Sequence, residues 1–229
     1  MISTTMSSQE WAVSRGLTAI PTVFVVDDDI SVRESVASLI HCAGWRVLTF
    51  ASGEQFLAHK RSGGPGCVVL DIKLPELDGF DVQQLIAADE LELPVIFISG
   101  FADVPMTVRA MKAGAMEFLM KPLSDVALLS AVQDAIDRSR VEFRRSSEVK
   151  LLKERYARLS DREREVLELV VAGRLNKQIG GTLGIREVTV KVHRGRVMQK
   201  MQAKTLVDLV TMVAKMDRAG QYHGLNDLG

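Results

Sequence analysis

The sequence predicts an α/β fold: a five-stranded parallel, doubly wound sheet, followed by an all-α helix-turn-helix domain on a helical linker. Three observations carry this. Short apolar runs alternate with segments of helical periodicity through the first 138 residues. Two of those runs end in aspartates, at Asp27 and at Asp71. The charge then reverses, because residues 1–138 hold 10 Lys+Arg and 18 Asp+Glu whereas residues 139–229 hold 19 and 11. The 229-residue chain is neutral overall, yet its two parts differ in sign, as modules with different partners would.

Residues 23–26 form the first strand and run into Asp27, Asp28 and Asp29. Ser31 and Glu34 have capping-box spacing, Val32, Val36, Leu39 and Ile40 share a helical face, and Gly44 ends that helix. Residues 46–50 read as a strand, and Ser52 with Gln55 as the cap of a short helix. After a glycine-rich loop over 62–66 comes a wholly apolar strand, 67–70, ending at Asp71. A helix over 80–88, a strand over 95–99, a helix over 106–113 and a strand over 117–120 follow. The helix over 124–137 is expected to bury Val126, Leu129, Val132 and Ile136. Unbroken apolar strands between helices imply a parallel sheet covered on both faces.

Composition narrows the function classes. A hydrophobic fraction of 47% and a charged fraction of 25% exclude a disordered or collagen-like chain. Cys42 and Cys67 cannot make a disulfide framework or a four-ligand zinc site. No apolar run reaches the ~18–20 residues of a membrane span, and residues 1–15 lack an apolar signal core. The expectation is a cytoplasmic protein without a membrane partner.

Ligands of such sheets bind beyond the carboxyl ends of the strands. Those ends carry Asp27, Asp28 and Asp29, then Asp71, then Ser99, then Lys121-Pro122. Clustered carboxylates suit a hard divalent cation, Mg²⁺ with Mn²⁺ as a substitute. A carboxylate beside such an ion can attack phosphorus, with Lys121 countering the charge on the transferred group.

The segments Val25-Val26-Asp27-Asp28-Asp29, Val69-Leu70-Asp71-Ile72-Lys73-Leu74-Pro75, Phe97-Ile98-Ser99-Gly100 and Phe118-Leu119-Met120-Lys121-Pro122 resemble the receiver domain of two-component response regulators. The resemblance spans about residues 21–138 and implies a flavodoxin/CheY-like fold. It makes Asp71 the phosphoacceptor and Asp28 a metal ligand, with Asp27 completing the acidic pair and the Lys73 carbonyl as a third protein ligand. It matches Ser99 to the switch hydroxyl that binds the phosphoryl group, Lys121 to the phosphate-binding lysine before a cis proline, and Phe118 to the aromatic switch position. Receivers of this kind often dimerise through the face that holds residues 106–113 and 117–120.

Residues 137–159 are rich in charge, lack Gly and Pro, and are expected to continue the preceding helix. Beyond them Ser160 and Glu163 again have capping-box spacing, before a face of Val166, Leu167, Val170 and Val171. Asn176 is expected to cap a short helix to Leu183, Gly184 to make a turn, and a longer helix to run over 187–201. The last helix, 205–217, is expected to bury Leu206, Leu209, Val210 and Val213. Leu159-Ser160-Asp161-Arg162-Glu163, Asn176-Lys177-Gln178-Ile179 and Val188-Thr189-Val190-Lys191-Val192-His193 resemble the LuxR-type helix-turn-helix domain. Together the two resemblances indicate the NarL/FixJ branch of response regulators.

At 100° per residue, Val190, Val197 and Met201 fall on one side of the 187–201 helix and are expected in the core. Lys191, Val192, Gly195, Arg196 and Gln199 fall on the opposite arc, the candidate for the major groove. Lys191 can meet a guanine edge or a phosphate, and Val192 a thymine methyl. His193 and Arg194 lie at the edges of the buried arc and suit phosphate contact or packing, while Lys177, Lys200 and Lys204 are candidates for further phosphate contacts. Gly195 stands where some relatives carry a basic base-reading residue, and Gly180-Gly181 is expected to allow close packing on the recognition helix.

The expected organisation is a leader (1–20), a receiver (21–138), a helical linker (139–158), a DNA-binding domain (159–217) and a tail (218–229). The resemblance implies a transcription factor and not an enzyme. It would be phosphorylated by a sensor histidine kinase, dimerise, bind double-stranded promoter DNA and, with RNA polymerase as a partner, activate transcription. An aspartyl-phosphate phosphatase or transferase is the competing reading, but such enzymes usually carry a second Asp two residues after the nucleophile, and Lys73 stands there. A DNA-binding protein whose first module only dimerises is the other.

Overall fold

The computed structural model describes residues 20–60, 63–88, 93–101 and 103–218, so the expected leader and tail lie outside the described residues except for Ile20 and Arg218. Five strands, β1 (Thr22–Val26), β2 (Arg46–Phe50), β3 (Gly66–Asp71), β4 (Val95–Ser99) and β5 (Glu117–Met120), pair in parallel in the order β2-β1-β3-β4-β5. Between and after them run α1 (Ile30–Cys42), α2 (Gly53–Ala58), α3 (Gly79–Ala87), α4 (Val104–Lys112) and α5 (Asp125–Ala157).

The strands alternate their side chains between two apolar layers, as the period of two requires. Phe24, Val26, Val68, Leu70 and Phe97 pack with Phe56 of α2, Phe80 and Val82 of α3 and Ala110 of α4. Val23, Val25, Cys67, Val69, Ile96 and Ile98 pack with Val36 and Ile40 of α1 and Leu128, Val132 and Ile136 of α5. Burial pushes the Cys67 thiol up to about 12, so it behaves as a small core residue.

Several helix starts differ from the sequence expectation, and for one reason. An aspartate just upstream offers its carboxylate to the orphan amides of the first turn. Asp29, not Ser31, caps α1 and accepts from the Ser31 N–H at 2.8 Å. Asp78 caps α3, and Asp103 caps α4, which begins two residues earlier than expected with Pro105 in its first turn. Helix α5 runs unbroken for 33 residues. Its buried stripe is Leu128, Ala131, Val132, Ala135 and Ile136; the expected Leu129 is half-buried and Val126 is 80% exposed.

Contacts divide the chain into two compact units, 1–143 and 144–229, with the division inside α5. The described part of the second unit holds α6 (Asp161–Val171), α7 (Asn176–Leu183), α8 (Glu187–Met201) and α9 (Leu206–Arg218) around Leu152, Val166, Leu167, Ile179, Val190, Val197, Met201, Leu209, Val213 and Met216. Ser160 and Glu163 form the expected capping box. Helix α9 buries Leu209, Val213 and Met216, whereas Leu206 and Val210, expected inside, are exposed. A Cβ on Gly180 would stand 2.8 Å from the Ile185 carbonyl oxygen, so the turn into α8 needs glycine there; a Cβ on Gly181 meets nothing within 4 Å.

Candidate functional site

In the first unit the site grows from the sheet. The strand order reverses between β1 and β3, which are neighbours, so their carboxyl ends open a crevice holding Asp27, Asp28 and Asp71. Each of the three offers a carboxylate oxygen, and these oxygens all lie within 4.8 Å of one another. Lys121 reaches in from beyond β5, and its ammonium donates to Asp27 Oδ2 and to Asp71 Oδ2 at 2.7 Å each. The Lys121–Pro122 peptide is cis.

The backbone fixes these carboxylates. The Asp29 N–H donates to Asp27 Oδ1 at 2.9 Å, and the Lys73 N–H donates to Asp71 Oδ1 at 3.1 Å. Arg33, from the first turn of α1, donates to the carbonyls of Asp27 and Asp28 at 2.6 and 3.2 Å and so fastens the acidic loop. No spacing rule points to that arginine, and the sequence reading missed it. Gly79 opens α3 directly behind Asp71, where a Cβ would stand 2.5 Å from the Asp71 carbonyl oxygen.

Asp27 is fully buried, and burial pushes its pKa up; the bonds from Lys121 and the Asp29 N–H oppose this, and the nearby Asp71 charge adds to it. Burial alone would pull Lys121 down, but its bonds to Asp27 and Asp71 raise it, so it stays an ammonium. Three oxygen donors around an incompletely balanced negative charge fit a small hard divalent cation such as Mg²⁺.

Ser99 ends β4, one residue past the sheet partner of Asp71, and is buried. Its hydroxyl donates to the Phe101 carbonyl at 2.6 Å and accepts from the Phe101 N–H at 3.2 Å. Phe118 pairs with Phe97 across β4 and β5 and is half-buried against the first apolar layer. Lys73 Nζ sits 5.4 Å from the centre of the exposed Phe101 ring. On α4, Met106 packs inward while Val104, Val108 and Met111 are exposed, as is Met120 of β5.

In the second unit, α7 and α8 meet at Gly184, whose φ of +66° closes α7. Asn176 is not the cap of α7; it is the first helical residue, and its side-chain oxygen accepts from Arg194 of α8 at 3.1 Å. Gln178 takes the capping work by accepting from the Leu175 N–H at 2.9 Å. Along α8, Val190, Val197 and Met201 are buried, and Lys191, Val192, Gly195, Arg196 and Gln199 are exposed, which is the phase the periodicity implies. Lys177 is exposed, and His193 and Arg194 are half-buried. Lys191 lies 3.3 Å from Glu187, one turn earlier. Lys200 is half-buried, and its ammonium donates to Glu163 Oε2 at 2.6 Å and to the Arg158 carbonyl at 3.1 Å, within its own unit.

An acidic, lysine-bridged crevice at the switch point of a doubly wound sheet, followed by a helix-turn-helix with a basic outer arc, defines a regulator with separate receiving and DNA-binding modules. Residues 23–133 match the response regulator receiver domain, and residues 157–213 match the bacterial regulatory proteins of the luxR family. Nodulation protein W of Bradyrhizobium diazoefficiens is 45% identical over 190 residues, 83% of this chain and 84% of that protein. The transcriptional regulatory protein FixJ of Azorhizobium caulinodans is 40% identical over 190 residues, 83% of this chain and 90% of its own. The solved structure of the response regulator StyR superposes with a TM-score of 0.78 at 45% identity, covering 86% of this chain and all of that one. The chain belongs to the response regulators that join a receiver to a LuxR-type domain, a family of transcription regulators. Among the described residues, no helix is long and apolar enough to cross a membrane.

Proposed function

We propose that Asp71 accepts a phosphoryl group from the phosphohistidine of a sensor histidine kinase, and that this modification controls DNA binding by the second unit. The observation that carries the reading is the Lys121 ammonium held 2.7 Å from both Asp27 and Asp71. A carboxylate oxygen of Asp71 attacks phosphorus, the P–N bond breaks, the histidine leaves, and an acyl phosphate remains on Asp71. Asp28 and Asp71, with Asp27 and the Lys73 carbonyl, would hold the Mg²⁺. When bound, that ion supplies positive charge against the phosphoryl oxygens. Lys121 stays charged beside Asp71 and can follow the new negative charge. The phosphoryl group carries about −1.5 to −2 charge in place of the carboxylate's single charge, so the site gains up to about one negative charge and three acceptor oxygens. Ser99 would then exchange its bonds to Phe101 for one to the phosphoryl group, and Phe118 would repack into the space vacated.

The apolar outer residues of α4, Val104, Val108 and Met111, support dimerisation of the phosphorylated form. In the second unit Lys191, Val192, Gly195 and Arg196 face the major groove, with Lys177, His193 and Arg194 toward the phosphates. The target is double-stranded promoter DNA in the cytoplasm, and activation through RNA polymerase is the regulatory outcome.

Incubation with a small phosphodonor and Mg²⁺, followed by intact mass measurement, tests the first step. The wild-type chain should gain one phosphoryl group and Asp71→Asn none. Equal labelling of the variant would remove Asp71 from the mechanism.

A further inference from the structure

Helix α8 rests on its unit through Val190, Val197 and Met201, three buried residues along one line. A line of apolar contacts fixes the distance of a helix from its neighbours, and contacts off the line oppose rocking about it. Met198 packs against the same core on one flank of that line. Lys200 lies on the other flank, about 100° round the helix from Met201.

Lys200 donates to Glu163 Oε2 at 2.6 Å, and the same oxygen accepts from the Ser160 N–H at 2.9 Å. One carboxylate oxygen therefore joins the first turn of α6 to the last turn of the recognition helix. The Glu163 side chain is only 3% exposed, so the pair is shielded from competing water on the glutamate side. Burial alone would push Glu163 up, but the bonds from Lys200 and the Ser160 N–H hold it below the usual glutamate range, and it remains ionised. The Arg158 carbonyl takes a second ammonium proton of Lys200, at 3.1 Å. Arg155 donates to the Met201 carbonyl at 3.3 Å and secures the same helix end.

We propose that Glu163 and Lys200 form a clamp that sets the angle at which the recognition helix is presented, and that Lys200 is a positioning residue, not a phosphate contact. The proposal rests on the DNA-binding reading above. The clamp joins groups 37 residues apart. Its effect on affinity comes from geometry, since readout of base edges tolerates little angular error.

The probe is a duplex selected by the phosphodonor-treated wild-type full chain from a random-sequence pool. Glu163→Gln keeps an acceptor for the Ser160 N–H and removes the charge. Glu163→Gln and Lys200→Gln should each weaken binding about tenfold, and the double variant no further. The slope of log affinity against log salt should stay that of the wild type, and Lys200→Arg should stay within about threefold of it. Measurements are made where thermal unfolding shows every variant folded. Additive losses, a salt slope reduced by about one for Lys200→Gln, or tighter binding by Glu163→Gln as Lys200 is released would each overturn the clamp. Hydrogen exchange of α8 amides gives a readout without DNA: the clamp requires faster exchange at both ends of α8 in Glu163→Gln, and change confined to residues beside 163 refutes it. Failure of the wild-type chain to select any duplex would reject the DNA-binding reading instead, leaving the clamp to the exchange data.

Discussion

At the strand ends Lys121 is 18% exposed and stands between two carboxylates, whereas Lys191 on the recognition helix is 63% exposed and meets Glu187 across 3.3 Å of accessible surface. The two lysines teach different uses of the same charge. Around Lys121, burial makes each charge expensive and binds it to its neighbours, so a change of charge on one group in the crevice is felt by the others. Around Lys191, water screens the pair, which contributes little to stability and leaves the ammonium available to a phosphate or a guanine edge. Substitutions in the crevice should therefore act through stability and ion binding, and substitutions on the helix arc through affinity alone.

The sharpest break of that comparison is Lys191→Ala. It should weaken binding to a selected duplex by about 1–3 kcal/mol, roughly five- to 150-fold, while the melting temperature moves by no more than about one degree. Fluorescence anisotropy at several salt concentrations and a thermal scan measure both. A lysine on phosphate lowers the salt slope by about one; a lysine on a base edge relaxes sequence preference instead. A large loss of stability would show that the exposed face is structural.

Asp27→Asn probes the other side. Burial raises the pKa of Asp27, so the fold prefers its protonated form, and ionisation lowers stability as pH rises through the folded value. At neutral pH and without divalent cations the amide should therefore stabilise the first unit, by about 1–2 kcal/mol or several degrees. Added Mg²⁺ should raise the melting temperature of the wild-type chain more than that of the variant. Destabilisation by the amide would show that the Lys121 bond outweighs the burial cost of Asp27.

Much of this was legible in the sequence because it is local. The apolar runs that end at Asp27 and Asp71 mark both the strands and the crevice, and the phase of α8 separates Val190, Val197 and Met201 from Lys191 and Arg196. Helix starts were less legible, since Asp29 and Ser31 are both capable caps and which amide turns toward them depends on how the loop enters. In α9 apolar residues surround most of the helix, so two stripes compete; packing chose Leu209, Val213 and Met216 and left Val207 and Val210 outside. Long-range polar contacts carry no period at all. Lys121 and Asp27 are 94 residues apart, and only the strand order, or the family resemblance, joins them. Glu163 was legible as half of a capping box but not as the partner of Lys200.

The smallest effect contrasts the two units by pH. Glu163 lies below the ordinary glutamate value of about 4.5, despite burial that alone would raise it, because Lys200 and the Ser160 N–H bind its ionised form. A depressed folded value means stability that is present above the unfolded value and lost as pH falls through the folded one. Asp27 has the opposite sign: its contribution is present at low pH and lost on the way up. Acidification from about pH 5 should therefore cost the wild-type second unit more stability than it costs Glu163→Gln, while it narrows the advantage of Asp27→Asn in the first. The difference should be a few degrees in each case. Hydrogen exchange, corrected for its intrinsic pH dependence and followed separately in residues 20–143 and 144–218, reads the two units in one sample. Parallel pH responses of each variant and the wild-type chain would mean that neither carboxylate titrates as its surroundings require.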